Sequence, residues 1–216
     1  MEKQLFEKAF INSLNKNFQS HSKYFDFEFC VFNELEGTVF EINKCLILEF
    51  YRASITLTNY LLERLLKLSL IYNEAGIGPQ PFEEWGSTFE EPNKTFSRYV
   101  LANSIKECRK LDLITESEKV ILYDKIRELM RNGFSHADST KILKEIPDET
   151  IMFQGSFSNM KDIKPISVNQ KIIPAIQAIL IENFAKENAS NYFDYVFELI
   201  QKIEKRLIER NNKTVK

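Results

Sequence analysis

The chain has 216 residues, which is enough for one good-sized domain or at most two small ones. Apolar residues make up 44%, so disorder over the whole chain is excluded. With 31 acidic and 29 basic side chains the net charge is −2, which argues against a protein that coats nucleic acid non-specifically. Six glycines and six prolines are few for a fold with many tight turns and favour long helices.

The cysteines and histidines offer little for a disulfide or metal site. The three cysteines are odd in number and include no CxxC pair, so we predict neither a disulfide framework nor a zinc site. We therefore expect no metal and no cofactor, and we interpret Cys30, Cys45 and Cys108 as small core residues. Of the two histidines, His21 lies in an aromatic stretch and is expected to be structural.

No segment has the pattern of a membrane span or a secretory signal. The most apolar stretch, 44–72, is interrupted by charged side chains and falls short of the ~20 apolar residues that a span requires. The first ten residues contain two glutamates and two lysines, unlike a signal peptide. We therefore predict a cytoplasmic protein without membrane contact.

Apolar spacing predicts helices in the first half of the chain. Residues 2–17 form a predicted amphipathic helix, and 38–73 a long helical segment that is either one helix or two. Residues 76–95 hold three prolines, three glycines and Trp85, which predicts a long surface loop. Its aromatic side chains either anchor the loop on the bundle or form a platform for stacking nucleobases.

The second half is predicted to be helical with one insertion. A helix is expected over 96–111, and a capping box of the Thr-x-x-Glu type at Thr115 begins the next helix. Residues 147–171 contain two prolines, a glycine and apolar residues that alternate at Ile151, Phe153 and Phe157, which indicates a short hairpin or an irregular insertion.

Two more helices are expected at 174–187 and 191–210, with Ser190 as the N-cap of the last. The predicted fold class is therefore all-α. It is a single-domain bundle of five to seven helices over 1–216, with the long loop 76–95 and the small insertion.

One constellation of residues stands out for chemistry, the run RNGFSHAD at 131–138, which follows a strongly predicted helix. Histidine titrates near neutral pH and can accept or deliver a proton, and arginine offers a charged planar fork to a phosphate. This pair suits RNA cleavage, because the ribose 2′-hydroxyl is an internal nucleophile and neither a nucleophilic side chain nor an ion is required. The common phosphate-loop, Rossmann, zincin and hydrolase motifs do not occur.

The pattern Arg131-Asn132-x-x-x-His136 at a helix end resembles the R-x4-6-H signature of the HEPN superfamily, whose members often carry Asn directly after the arginine. Members are helical bundles. Many are metal-independent endoribonucleases that act as toxins, in phage defence or in RNA processing, and others are non-catalytic binding modules. The resemblance implies that Arg131 and His136 form the catalytic pair and that Asn132 positions them. Glu128, Ser135 and Asp138 are auxiliary candidates.

The same resemblance implies an RNA substrate and a homodimer in which both motifs line one cleft. An antitoxin or another protein is a further expected partner. Cleavage would leave a 2′,3′-cyclic phosphate and a 5′-hydroxyl end.

A purely structural interpretation of the motif stays open. His136 would then bind a carbonyl at the helix end or favour its negative pole. Arg131 would pair with Glu128 on its own helix, and Ser135 or Asp138 would cap the next helix.

Two other functions are also open. One is a non-catalytic helical module that binds a protein or a nucleotide, which the charge of −2 favours. The other is a regulator whose working surface is the segment 76–95. The basic stretch 202–216 either attracts RNA phosphates or forms a solvated helix face.

Overall fold

The computed structural model describes residues 2–135, 142–144, 146–156 and 158–214. At positions 129, 131, 132, 135, 159–161, 213 and 214 the description covers the backbone alone. Within these ranges the protein is mostly helical with one two-stranded antiparallel sheet, which confirms the predicted helical bundle with a small insertion. No described helix is long and apolar enough to cross a membrane.

The elements in chain order are α1 (Lys3–His21), α2 (Glu36–Ile47), α3 (Tyr51–Ala75), α4 (Trp85–Phe96), α5 (Leu101–Lys110), α6 (Glu116–Val120), a π-helical segment (Ile121–Asn132), α7 (Gly133–Ser135), β1 (Glu149–Ser156), β2 (Asn159–Asn169) and α8 (Pro174–Thr214). Short 3-10 turns lie at Ser22–Tyr24, Asn33–Leu35 and Phe82–Glu84.

The core forms where α3 packs along α8, and α2, α4 and α5 lie against the remaining sides of α3. On α3 the apolar residues recur at three- and four-residue steps, so one broad stripe of the helix is buried. Leu61, Leu65 and Phe193 are 0% exposed at this contact. Such burial supplies most of the stabilisation of a helix in a bundle.

The predicted segment 38–73 is two helices, separated at Leu48–Phe50. Glu49 adopts a left-handed backbone with φ of 63°, which costs a non-glycine residue about 1–2 kcal/mol. Its carboxylate accepts hydrogen bonds from Lys16 at 2.6 Å and from Asn17 at 3.3 Å on α1. These contacts hold the carboxylate at the bend and tie α1 to the bundle, although no residue of α1 is itself buried.

The prediction that 76–95 is one long loop is wrong, because only its first part is irregular. A 3-10 turn leads directly into α4, which contains Pro92. Phe89 and Phe96 lie four and eleven residues after Trp85, so their side chains face α3, where Phe89 meets the ring of Tyr72. This packing offsets the hydrogen bond that proline removes from the helix interior.

The prediction of two C-terminal helices is also wrong. Helix α8 is continuous, because residues 175–214 contain neither glycine nor proline. Ser190 is therefore inside the helix and not its N-cap, and its hydroxyl lies 3.4 Å from Nε2 of His21.

The insertion is a β-hairpin, which was one of its two predicted forms, the other being an irregular segment. Strand β1 pairs antiparallel with β2, and Phe153 lies opposite Pro165. At Gly155 a Cβ atom would lie 2.7 Å from the Cα of Ile163, so the register shift there requires glycine. The side chains of Ile151 and Phe153 are 67% and 73% exposed. Phe157, which belonged to the predicted alternation, lies outside the described residues.

Candidate active site at the end of the π-helical segment

The helix that leads to the motif begins with the predicted capping box. Thr115 Oγ1 accepts a hydrogen bond from the backbone N–H of Glu118, and the Glu118 carboxylate accepts one from the N–H of Thr115 at 2.7 Å. Two backbone donors that the helix leaves without partners are thereby satisfied. The prediction at this position is confirmed.

The same glutamate fastens this helix to α8. Arg206 donates two hydrogen bonds to the Glu118 carboxylate, at 2.8 and 3.0 Å, and a third to the carbonyl oxygen of Leu113. Burial alone would raise the pKa of Glu118, but the hydrogen bonds from Arg206 and Thr115 outweigh it and lower that pKa. The beginning of the motif-bearing helix is thus held by a forked ion pair.

After α6 the backbone widens into the π-helical segment, whose last two residues are Arg131 and Asn132. Leu122, Ile126 and Met130 are buried and recur every four residues, so the segment keeps one apolar side on the core. Wide helical turns of this kind are rare and are frequent at functional sites. Arg131 and Asn132 therefore lie where the helical geometry departs from the ordinary α-helix.

The segment closes with a tight turn. The N–H of Gly133 donates to the carbonyl oxygen of Met130, and the buried Gly133 begins α7. The ring of Phe134 lies 5.8 Å from that of Phe184 on α8. The turn that follows Arg131 is therefore packed against α8 through Phe134.

A buried polar pair fixes the residue before Arg131. The side-chain amide of Asn59 on α3 donates to the carbonyl oxygen of Met130 at 3.0 Å, and the hydroxyl of Tyr192 on α8 donates to Asn59 Oδ1 at 2.8 Å. Asn59 is 4% exposed and Tyr192 is 3% exposed. Burial, with a smaller effect of the Glu63 carboxylate, raises the pKa of Tyr192, which therefore stays a hydrogen-bond donor.

Neither Asn59 nor Tyr192 was among the residues predicted for the site. A signal for Asn59 was present, because it follows Ile55 by four residues and precedes Leu62 by three, on the apolar side of α3. An amide in such a stripe requires a buried partner. Tyr192 gives no comparable signal, since a tyrosine among apolar residues is ordinary core material.

The remaining predicted site residues have different placements. The carboxylate of Glu128 lies 2.7 Å from the guanidinium of Arg127, its neighbour in sequence. Ser135 is the last residue of α7. His136 and Asp138 lie outside the described residues, and only the backbone is described at Arg131 and Asn132, so the pairing of Arg131 with His136 stays a prediction.

The other histidine has a structural setting, as expected. His21 ends α1, and its Nδ1 lies 3.0 Å from the carbonyl oxygen of Asn17. The carbonyl of His21 itself accepts a hydrogen bond from the buried Asn43. His21 thus joins α1 to α2.

Among the described residues no group of three histidine, cysteine, aspartate or glutamate side chains is arranged to hold a metal ion. No protein-family model, curated protein or solved structure matches this chain. The features of the chain that indicate a function are therefore the motif and the residues around it.

Proposed function

We propose that this protein is a metal-independent endoribonuclease of the HEPN type, in which Arg131 and His136 act on the same phosphodiester. The observation that carries the proposal is the Arg131-Asn132-x-x-x-His136 motif, which begins in the last two residues of a π-helical segment within a helical bundle. The anchoring of Met130 by Asn59 supports it, because a reactive pair needs a backbone that does not shift.

The proposed reaction is a transesterification within the RNA. The 2′-oxygen loses its proton and forms a bond to phosphorus, while the bond from phosphorus to the 5′-oxygen breaks and that oxygen takes up a proton. His136 carries one of these protons, since imidazole titrates near neutral pH. Arg131 stabilises the negative charge that builds up on the phosphoryl oxygens, and Asn132 positions the pair.

The reaction needs a base and an acid, and one motif supplies a single imidazole. We therefore propose a homodimer in which the motifs of two chains line one cleft, so that one His136 accepts the proton of the 2′-hydroxyl and the other protonates the leaving oxygen. An antitoxin or another regulatory protein would then block this cleft. Both statements follow from the resemblance of the motif.

The deciding experiment incubates a mixed RNA pool with the protein in EDTA and maps the new ends. We expect cleavage that leaves 2′,3′-cyclic phosphate and 5′-hydroxyl ends, and a loss of at least 100-fold, about the contribution of general acid–base catalysis, in His136→Ala. Arg131→Ala should lose a similar factor.

The chain contains its own control for this experiment. His21→Ala removes the other imidazole, which contacts Asn17 on α1 and Ser190 on α8, and should leave cleavage unchanged. Equal activity of wild type and His136→Ala, or equal inactivity of both, would contradict the proposal.

A non-catalytic helical module is the second candidate function. Its specific support is the charge distribution, because residues 68–93 contain five glutamates and no lysine, arginine or histidine. A surface of this kind repels RNA and suits a protein partner. Inactivity of the wild type in the RNA assay would favour this candidate.

A further inference from the structure

An aromatic groove lies at the end of α3 that is remote from the motif. Tyr72, Trp85 and Phe89 line two adjoining cavities of about 340 and 300 Å³. Thirteen residues separate Tyr72 from Asn59 on α3, which is about 20 Å along the helix axis. The groove is therefore a surface separate from the proposed active site.

The walls of the aromatic groove are fixed by the bundle. The Tyr72 hydroxyl donates to Glu34 at 2.7 Å, and its ring packs on the buried Phe32. The indole N–H of Trp85 donates to the carbonyl oxygen of Gln80 at 3.3 Å. A site with walls held in this way loses little conformational entropy when a ligand binds.

The aromatic groove nevertheless leaves large apolar surface in water. Trp85 is 51% exposed, and Phe82, whose ring lies 5.2 Å from that of Trp85, is 77% exposed. Exposed aromatic side chains beside a concave surface are typical of protein interaction sites, where they act as anchors.

The rim of the groove is mainly acidic, because exposed glutamates adjoin its lining residues in the sequence. Glu74, Glu83, Glu84 and Glu90 are exposed, and within the described chain none of their carboxylates forms an ion pair. The fifth glutamate of 68–93, Glu91, pairs with Lys94. Positive charge at the edge of a ligand would therefore be complementary to these four carboxylates.

Two polar side chains in the lining of the groove could also contact a ligand, namely the amide of Gln80 and the guanidinium of Arg64. Gln80 lines the larger cavity, and its buried side-chain oxygen has no hydrogen-bond donor, while its amide nitrogen donates to Ala75. An N–H of a ligand would satisfy that oxygen. Arg64 and Glu34 both line the smaller cavity, whose lining therefore carries one charge of each sign.

We propose that the aromatic groove binds a basic segment of a partner polypeptide, which places an aromatic or branched aliphatic side chain against Trp85 and Phe89 and its lysines or arginines on the glutamates of the rim. Charge complementarity selects this occupant, since a nucleic acid or an acidic segment would bring like charge to the four unpaired carboxylates. Cations can also lie over the exposed faces of Trp85 and Phe82.

The test is a selection of displayed random dodecapeptides on the full-length protein, followed by anisotropy titrations of fluorescein-labelled winners. We expect the winners to be enriched in lysine or arginine together with leucine, phenylalanine or tryptophan, and their binding to weaken as salt is added. Replacing Glu74, Glu83, Glu84 and Glu90 by glutamine should weaken binding about tenfold, as four modest surface charge contacts would predict.

Two further variants test whether peptide binding depends on the groove itself or only on the net charge of the protein. Replacing Glu2, Glu28, Glu41 and Glu187 by glutamine changes the net charge equally at exposed sites elsewhere, and should leave binding unchanged. Phe82→Ser removes an exposed anchor without touching the core, and should weaken binding about tenfold.

Winners without enrichment in basic residues would overturn the proposal, as would equal affinity for the two quadruple variants. Binding of an oligouridylate or of a second copy of the chain at this groove, lost in Phe82→Ser, would overturn it as well. The RNA cleavage assay tests the motif and the peptide titration tests the aromatic groove. The proposed ribonuclease activity and the proposed peptide binding can therefore fail independently.

Discussion

Asn59 and Met130 are 71 positions apart in the chain, yet the side-chain amide of one donates to the backbone carbonyl of the other at 3.0 Å. The contact joins the middle of α3 to the end of the π-helical segment, immediately before Arg131. Because Tyr192 donates to the same amide, three elements meet at one buried asparagine. This asparagine holds the candidate active site to the most buried helix of the protein.

Asn59→Ala should therefore destabilise the fold and the motif together. The substitution removes one of the two hydrogen bonds to the carbonyl oxygen of Met130, which keeps the N–H of Gly133, and leaves the hydroxyl of Tyr192 without its acceptor. A lost hydrogen bond costs about 1 kcal/mol, and an unsatisfied buried group about 1–3 kcal/mol. We expect the free energy of unfolding, measured with urea, to fall by about 2–4 kcal/mol. Thr56→Ala, on the exposed side of the same helix, is the control and should change it by less than about 0.5 kcal/mol.

Tyr192→Phe tests the other half of this network. It removes the donor to Asn59 and keeps the ring in the core, so we expect a smaller loss, about 1 kcal/mol. A loss from Asn59→Ala no larger than that of Thr56→Ala would contradict the anchoring role.

Arg206→Met should change the pH dependence of stability. The folded-state pKa of Glu118 lies below the ordinary value of 4.5, so its ionised form stabilises the native state above that pH. This contribution is lost as the pH falls through the folded-state pKa. We expect the wild type to lose more unfolding free energy between about pH 5 and pH 3 than Arg206→Met does, with the variant less stable by about 1–3 kcal/mol at pH 7.

The control for this prediction is Lys202→Met, four residues earlier on α8. Lys202 pairs with Glu198, and both side chains are largely exposed, so the pair should contribute at most a few tenths of a kcal/mol. If the two variants behave alike across the pH range, the pair of Glu118 and Arg206 does not stabilise the fold as inferred here.

Some elements were predictable because their signals are local. The capping box at Thr115 is contained in four residues, and the alternation of Ile151 and Phe153 lies within a single strand. Both signals come from rules that operate on neighbours in sequence, and the structure confirms both elements.

The errors have a different origin, since they lie where tertiary packing outweighs local preference. Proline and glycine favoured a loop at 76–95, but the packing of Phe89 on Tyr72 supports a helix through Pro92. Ser190 fitted an N-cap, yet nothing around it breaks α8.

The candidate site was predictable to a similar, limited extent. The residue types and spacing of Arg131, Asn132 and His136 are enough to predict a reaction class. The anchoring by Asn59 was not predictable, because it depends on a contact between distant parts of the chain. Such a contact leaves no trace in a single sequence beyond an amide on an apolar helix face.

The hairpin should contribute little to the stability of the bundle. The two strands contact chiefly each other, and Ile151 and Phe153 are largely exposed. We expect the double variant Ile151→Ser with Phe153→Ser to change the free energy of unfolding by less than about 0.5 kcal/mol. Phe193→Ala, in the core between α3 and α8, should cost about 3–5 kcal/mol in the same urea experiment. A large loss in the double variant would show that these side chains are covered in solution.

The three cysteines should differ in their rates of reaction with a thiol reagent at pH 8. Cys30 is exposed, so the interpretation of it as a core residue is wrong, and it should react first. Burial, together with Glu41, raises the pKa of Cys45, so its smaller thiolate fraction should make it slower. Cys108 is 0% exposed, and burial, with a smaller effect of Glu107, raises its pKa, so it should react only when the protein unfolds. Cys30→Ser should abolish the fast phase alone, and fast labelling of Cys108 in the native protein would contradict the packing of α5 on α3.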